Sequence, residues 1–432
     1  MKKIASYALG CKVNQYESEA IAELFAEKGY EVVSVDDEAD VYIINTCTVT
    51  NFGDKKSRQL IRKVKRQNEN AIVAVVGCYA QTAPEELAAV HGVNLVIGTK
   101  DKSKIVELVE DYQAEQGVQN YVTDIMHERV FEPLEIKKLA NRTRAYLKIQ
   151  DGCSQFCSYC IIPYARGPIR SRQPGDVIAE VKRLAENGFK EVVLTGIHVA
   201  SYGKDLKTIT LTDIIRQVHD VEGIERIRFS SIEPNVVTEE FAAAMAELPK
   251  VCDHFHLSLQ SGCDKTLKEM NRKYDTEKYR QAAALLRKYL PDVAITTDII
   301  VGFPGETEED YQASRAFAEE IGFSKIHVFP YSPKKGTPAA ARKDQLQNAV
   351  KQARSHDLIT VSDRMTDAFL QKHVGKVMPV LFERCIGDDV YEGHTTNYMK
   401  VHARSTKDLS NVIADTKILS VAEEMAFGEV EA

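Results

Sequence analysis

The chain has 432 residues, of which 44% are hydrophobic and 28% charged, which is enough apolar content for two or three folded domains. Its net charge of -7 excludes nucleic-acid binding driven by the overall field, so any such contact must come from local patches. Apolar runs such as Ala71 to Val76 fall far short of the roughly 20 residues that cross a bilayer, and the N-terminus lacks a signal-peptide core. No membrane contact and a cytoplasmic location are therefore expected, and nine cysteines in a reducing compartment point to metals or chemistry rather than disulfides.

Residues 1–115 alternate β-rich runs (Ile4 to Leu9, Val41 to Asn45, Ile72 to Val76) with helical patterns, predicting an open parallel α/β domain. Its first helix is expected to start near Asn14, with Glu17 completing a loose capping box, and to stop at Gly29. Residues 116–143 are polar and aperiodic and read as a linker. Over 144–373, strand candidates at Ala145 to Ile149, Glu191 to Leu194, Ile224 to Phe229, His254 to Leu259, Val293 to Val301 and Lys325 to Phe329 alternate with helices. That pattern predicts a partial (β/α)6 barrel, closed on its outside by a helix over Gln345 to His373. Residues 374–432 give short alternating runs, including Val377 to Phe382 and Tyr398 to Val401, that fit a small β-barrel.

The strongest chemical signal is Cys153-Ser-Gln-Phe-Cys157-Ser-Tyr-Cys160, directly after the first barrel strand. Three thiolates on one short loop suit an iron-sulfur cluster, and the absence of a fourth nearby Cys or His disfavours a structural zinc site. Cys11, Cys47 and Cys78 each follow an apolar strand candidate, so three thiols are expected to converge at one edge of the first sheet. Cys252, Cys263 and Cys385 show no such pattern and read as structural.

The C-x3-C-x2-C run ahead of a six-unit βα barrel resembles the radical S-adenosylmethionine (SAM) superfamily. The second triplet narrows the resemblance to the methylthiotransferases, together with Leu259-Gln260-Ser261-Gly262 and Val301-Gly302-Phe303-Pro304-Gly305-Glu306-Thr307. Lys12-Val13-Asn14-Gln15-Tyr16-Glu17 after Cys11 resembles the branch acting on N6-threonylcarbamoyladenosine (t6A) at position 37 of tRNA, beside the anticodon. Other branches act on isopentenyladenosine or on a ribosomal-protein aspartate.

This resemblance implies two [4Fe-4S] clusters, an auxiliary one on Cys11, Cys47 and Cys78 and a SAM-binding one on Cys153, Cys157 and Cys160. It implies that one SAM methylates sulfur held at the auxiliary cluster while a second yields the radical that activates C2 of adenine, with no side chain acting as nucleophile. Candidate SAM contacts at barrel strand ends are Thr195, Gly196, Glu233, Gln260, Ser261, Asp298 and Gly302, with Tyr159 beside the adenine. The last domain resembles a TRAM domain, a small RNA-gripping barrel, through Gly393-His394-Thr395-Thr396-Asn397-Tyr398. Its charge is nearly balanced, so further phosphate contacts are expected from Lys55, Arg58 and Arg62, from Arg166, Arg170 and Arg172, and from Lys334. The implied partners are the tRNA anticodon loop, an electron donor such as flavodoxin or ferredoxin, and a sulfur donor.

Overall fold

The computed structural model describes residues 1–136 and 143–431. Its first sheet contains β1 (Lys3–Ala8), β2 (Glu31–Val32), β3 (Val41–Thr46), β4 (Ile72–Gly77), β5 (Leu95–Val96) and β6 (Gln119–Asn120), all parallel, in the order β2-β1-β3-β4-β5-β6. Every residue of β3 is buried, which explains why its sequence is a continuous apolar run rather than an alternating one. Ile21 and Phe25 of helix α1 (Lys12–Glu27) cover one face with Ile4 and Ile43, and Ile61 and Val64 of α2 (Asn51–Gln67) cover the other with Tyr42 and Ile44.

Two local expectations are corrected. Helix α1 starts at Lys12 with Cys11 at its N-cap, so Asn14 is no cap and Glu17 completes no capping box. Tertiary demand outweighs local capping here: the Asn14 amide donates to Leu9 O at 2.7 Å and Thr46 O at 3.1 Å, tying β1 to β3, while Glu17 is fully buried in ion pairs. The stretch 116–143 is more than a linker, because it supplies β6 to the first sheet and Leu134 and Ile136 to the central core. Part of that expected linker, residues 137–142, lies outside the described residues.

The central unit carries β7 (Arg144–Asp151), β8 (Arg170–Ser171), β9 (Glu191–Gly196), β10 (Arg226–Phe229), β11 (His254–His256), β12 (Ala294–Val301) and β13 (Lys325–Pro330). The sheets β10-β9-β7-β8 and β11-β12-β13 are joined by the parallel bridges Ile227 to Val251 and Ile232 to Leu257, so the six expected strands run in sequence around an open, curved wall. Only the short antiparallel β8 was unforeseen. It pairs with the end of β7 and fixes the chain leaving the cysteine loop. The helix Asn348–Gln371 lies along β13, where Ser362 Oγ accepts from Ile326 N at 3.0 Å.

The remaining strands, β14 (Val377–Gly387), β15 (Val390–Thr395), β16 (Lys400–Arg404), β17 (Val412–Ala422) and β18 (Met425–Val430), form a closed barrel. Tyr398, expected within a strand, instead sits at a turn with φ of +69°. There its ring stacks on His254 at 4.8 Å between centroids, with the Arg228 guanidinium 4.7 Å from the ring centre. Arg226 donates to His394 O and Pro379 O, and Arg228 to Thr395 O and Thr396 O, so the small barrel is docked on the start of β10.

Candidate active site

Strands β1, β3 and β4 are neighbours, and their carboxyl ends deliver Cys11, Cys47 and Cys78, the last as the first residue of helix α3 (Cys78–Thr82). The approach needs glycine at two points. Gly10 has φ of +93° and a Cβ there would stand 2.5 Å from Cys47 Sγ; Gly77 has φ of +94° and a Cβ there would meet Asn45 Oδ1 at 2.3 Å. Burial pushes the Cys47 thiol up to about 12, with Cys78 and Cys11 adding to the effect. Burial also raises Cys11, against the opposing pull of Arg166.

Arg166, Arg170 and Arg172, expected to face RNA, are buried within the protein, which corrects that expectation. Arg166 is fully enclosed and donates through Nε to Cys78 Sγ at 3.2 Å, through Nη1 to Glu17 at 2.6 Å and through Nη2 to Asn14 Oδ1 at 2.6 Å. Lys148 bridges Glu17 and Asp151 at 2.7 and 2.6 Å, Lys102 reaches Glu17 at 3.3 Å, and Arg170 reaches Asp151 at 3.7 Å. Burial alone would raise Glu17, but Arg166, Lys102 and Lys148 hold it well below the usual carboxylate range. Arg172 pairs with Glu180 at 2.5 Å. Arg166, Arg170, Lys102 and Lys148 outnumber Glu17, Asp151 and Glu132, leaving surplus positive charge beside the cysteines.

The second triplet has a similar neighbour that its local sequence does not announce. Arg272 donates to Cys157 Sγ at 3.2 Å and to Glu233 Oε1 at 2.9 Å. Burial pushes Cys153 up to about 11 and Cys160 up to about 12, with Cys157 raising both further. Paired thiols flanked by a guanidinium fit a soft, anionic metal-sulfur group, whose binding would deprotonate them. Among the described residues no three such side chains close on a single ion.

The expected SAM-side residues divide. Thr195 and Gly196 end β9, and Gly196 packs against Gln150. Glu233 gathers Arg272 and His198 Nε2, the latter at 3.2 Å. Gln260 has φ of +71° and bonds through its backbone to β12, so its backbone role is set, and Ser261 is buried beside it. Asp298 stands 3.3 Å from His256 Nε2. Gly302 is a packing residue: its N–H donates to Glu306 at 2.7 Å, and a Cβ would press Lys351 Cγ at 2.5 Å. Tyr159 lies half-buried against a small cluster with Phe303 and Tyr331.

A cavity of about 920 Å³ joins these parts. Its wall includes Cys11 and Lys12 from the first unit, Thr195, Gly196 and Asp298 from barrel strand ends, and Tyr398 from the small barrel. Helix α2 starts four residues after Cys47 and exposes Lys55 and Arg62. Arg58 is instead half-buried and donates to Tyr79 Oη, and Lys334 is buried in an ion pair with Asp54, which removes it as an RNA contact. Among the described residues no helix is long and apolar enough to cross a membrane. Cys252 is buried, while Cys385 is exposed and so fills no core.

Residues 147–318 match the Radical SAM superfamily model, and residues 3–98 match the Uncharacterized protein family UPF0004 model. The threonylcarbamoyladenosine tRNA methylthiotransferase MtaB of Bacillus subtilis (strain 168) is 45% identical over 424 residues, covering 97% of this chain and 94% of the relative. The protein of the same name from Aquifex aeolicus (strain VF5) is 38% identical, covering 95% and 99%. A tRNA-2-methylthio-N(6)-dimethylallyladenosine synthase from Thermoanaerobacter sp. (strain X514) is 37% identical, covering 98% and 91%. In fold, the chain is similar to the radical S-adenosylmethionine methyltransferase TsrM from Kitasatospora setae, with a TM-score of 0.58 at 15% identity, covering 79% of this chain and 77% of that one. Cysteine triplets at two strand-end loops, an open six-strand wall and near full-length identity converge on one conclusion: the chain belongs to the radical SAM methylthiotransferase family.

Proposed function

We propose that this protein methylthiolates C2 of t6A at position 37 in the tRNA anticodon loop. The observation that carries the reading is the shared cavity, in whose wall Cys11 of the first triplet faces the carboxyl ends of the barrel strands that follow the second. When bound, two [4Fe-4S] clusters and SAM supply the radical, the sulfur and the methyl group. The protein's own part is placement. Cys11, Cys47 and Cys78 hold one group and Cys153, Cys157 and Cys160 the other, with Arg166 and Arg272 balancing thiolate charge. The cavity receives a base turned out of its stack and limits water around it.

Lys55 and Arg62 offer exposed charge for the RNA backbone on the helix that follows Cys47, and the small barrel supplies a second, TRAM-like surface. The reading also requires an electron donor such as flavodoxin or ferredoxin and a sulfur donor. Mass spectrometry of tRNA nucleosides from cells with and without the gene tests it. The expected result is loss of 2-methylthio-t6A with accumulation of t6A. A loss confined to the methylthiolated isopentenyl nucleoside would move the substrate to the other tRNA branch.

A further inference from the structure

The cavity wall contains one cation that the fold leaves unanswered. Arg228 is tied to Glu191, Lys325 to Asp363 and Glu424, and Lys400 to Glu392. Among the described residues Lys12 is the only lysine or arginine of that wall with no carboxylate in ion-pair reach. Its ammonium stands 5.9 Å from the centre of the Tyr146 ring. Lys12 follows Cys11 directly, so its side chain departs from the sulfur-bearing edge of the cavity.

A second observation points to a ligand at the same place. Ser230 Oγ and His254 Nδ1 belong to the same wall and make no hydrogen bond, and His254 is only 9% exposed. Buried polar atoms without partners are few in folded proteins and call for an explanation. An unpaired ammonium beside unpartnered polar atoms is what a site for an anionic, hydrogen-bonding substituent contains before that substituent arrives.

We propose that Lys12 is a specificity-determining residue that binds the carboxylate of the N6-threonylcarbamoyl group. The inference rests on the substrate reading above. In adenine only N1 separates C2 from C6, which bears the substituent, so a base offering C2 to the Cys11 edge brings its N6 group to the same wall. The threonyl carboxylate pairs with the ammonium. A dimethylallyl group would instead strip water from it and give nothing back, so one lysine both accepts the first base and rejects the second.

The test uses anticodon stem-loop RNAs bearing either t6A or its neutral carboxamide counterpart, with cluster-loaded wild type, Lys12→Gln and Lys12→Arg. Both RNA binding and product formation are read. Wild type is expected to favour the carboxylate RNA by about 10- to 100-fold, the range of a charge-assisted hydrogen bond. Lys12→Gln is expected to lose that preference by weakening on the carboxylate RNA alone, and Lys12→Arg to keep part of it. An equal loss on both RNAs, or no preference in wild type, overturns the inference. Binding needs no turnover, so a variant that loads iron poorly still decides. Wild type that modifies a dimethylallyladenosine RNA and ignores t6A would remove the substrate reading itself, an outcome distinct from failure of Lys12 alone.

Discussion

Gly10 and Arg166 show how closely single residues constrain the first triplet. Gly10 combines a left-handed backbone with an approach that leaves no room for a Cβ beside Cys47, so both strain and contact oppose any side chain. Gly10→Ala is expected to displace Cys47 and to lose the auxiliary cluster's share of bound iron, about half if both four-iron sites fill in wild type. Iron analysis with electron paramagnetic resonance after reconstitution reads this, and unchanged iron would mean that the loop relaxes. Arg166 carries the opposite lesson. Its sequence context, three arginines within seven residues, reads as a phosphate patch. Charge says nothing about burial, and the enclosing partners Glu17 and Asn14 lie about 150 residues away in sequence, as their separations of 149 and 152 show.

Among elements, β10 and β11 and the β15–β16 turn form the seam between the wall and the small barrel. His254 opens β11 under the Tyr398 ring, and burial, with help from Arg228, His256, Lys12 and His327, holds its pKa well below the usual imidazole range. Burial likewise lowers His394 and His373 at the same seam. A histidine kept neutral when folded takes up a proton more readily when unfolded. Its stabilising contribution is therefore complete above about pH 6.5 and is lost as pH falls towards the folded value, by up to about 1.4 kcal/mol per pH unit for each such group. Thermal unfolding between pH 7 and pH 5 is expected to show a declining midpoint in wild type and a flatter profile in His254→Gln. An identical slope in both would remove His254 from the account. The carboxylates Glu17 and Asp151, held low by their cations, add a separate loss only at more acid pH.

For the whole molecule, the cavity exists only where three units meet, and each closes a part the others leave open. Ending the chain after His373 would remove the carbonyl acceptors of Arg226 and Arg228 and the ring over His254. At about 1–3 kcal/mol for each buried donor left without a partner, the remaining units are expected to unfold at a lower temperature than the full chain. Calorimetry of both chains checks this, and equal midpoints would show that the small barrel is energetically independent. Within the amino-acid sequence, the elements and both cysteine triplets are legible because their signals are local: apolar runs ending in cysteine, a three-thiol loop, and strand and helix periods that recur in order. The start of α1, the burial of Arg166, Arg170 and Arg172, the guanidinium of Arg272 beside Cys157 and the open charge of Lys12 were decided by tertiary structure alone. Each depends on which distant groups share a low-dielectric space, and that is fixed only when α1 packs between the first sheet and the barrel wall.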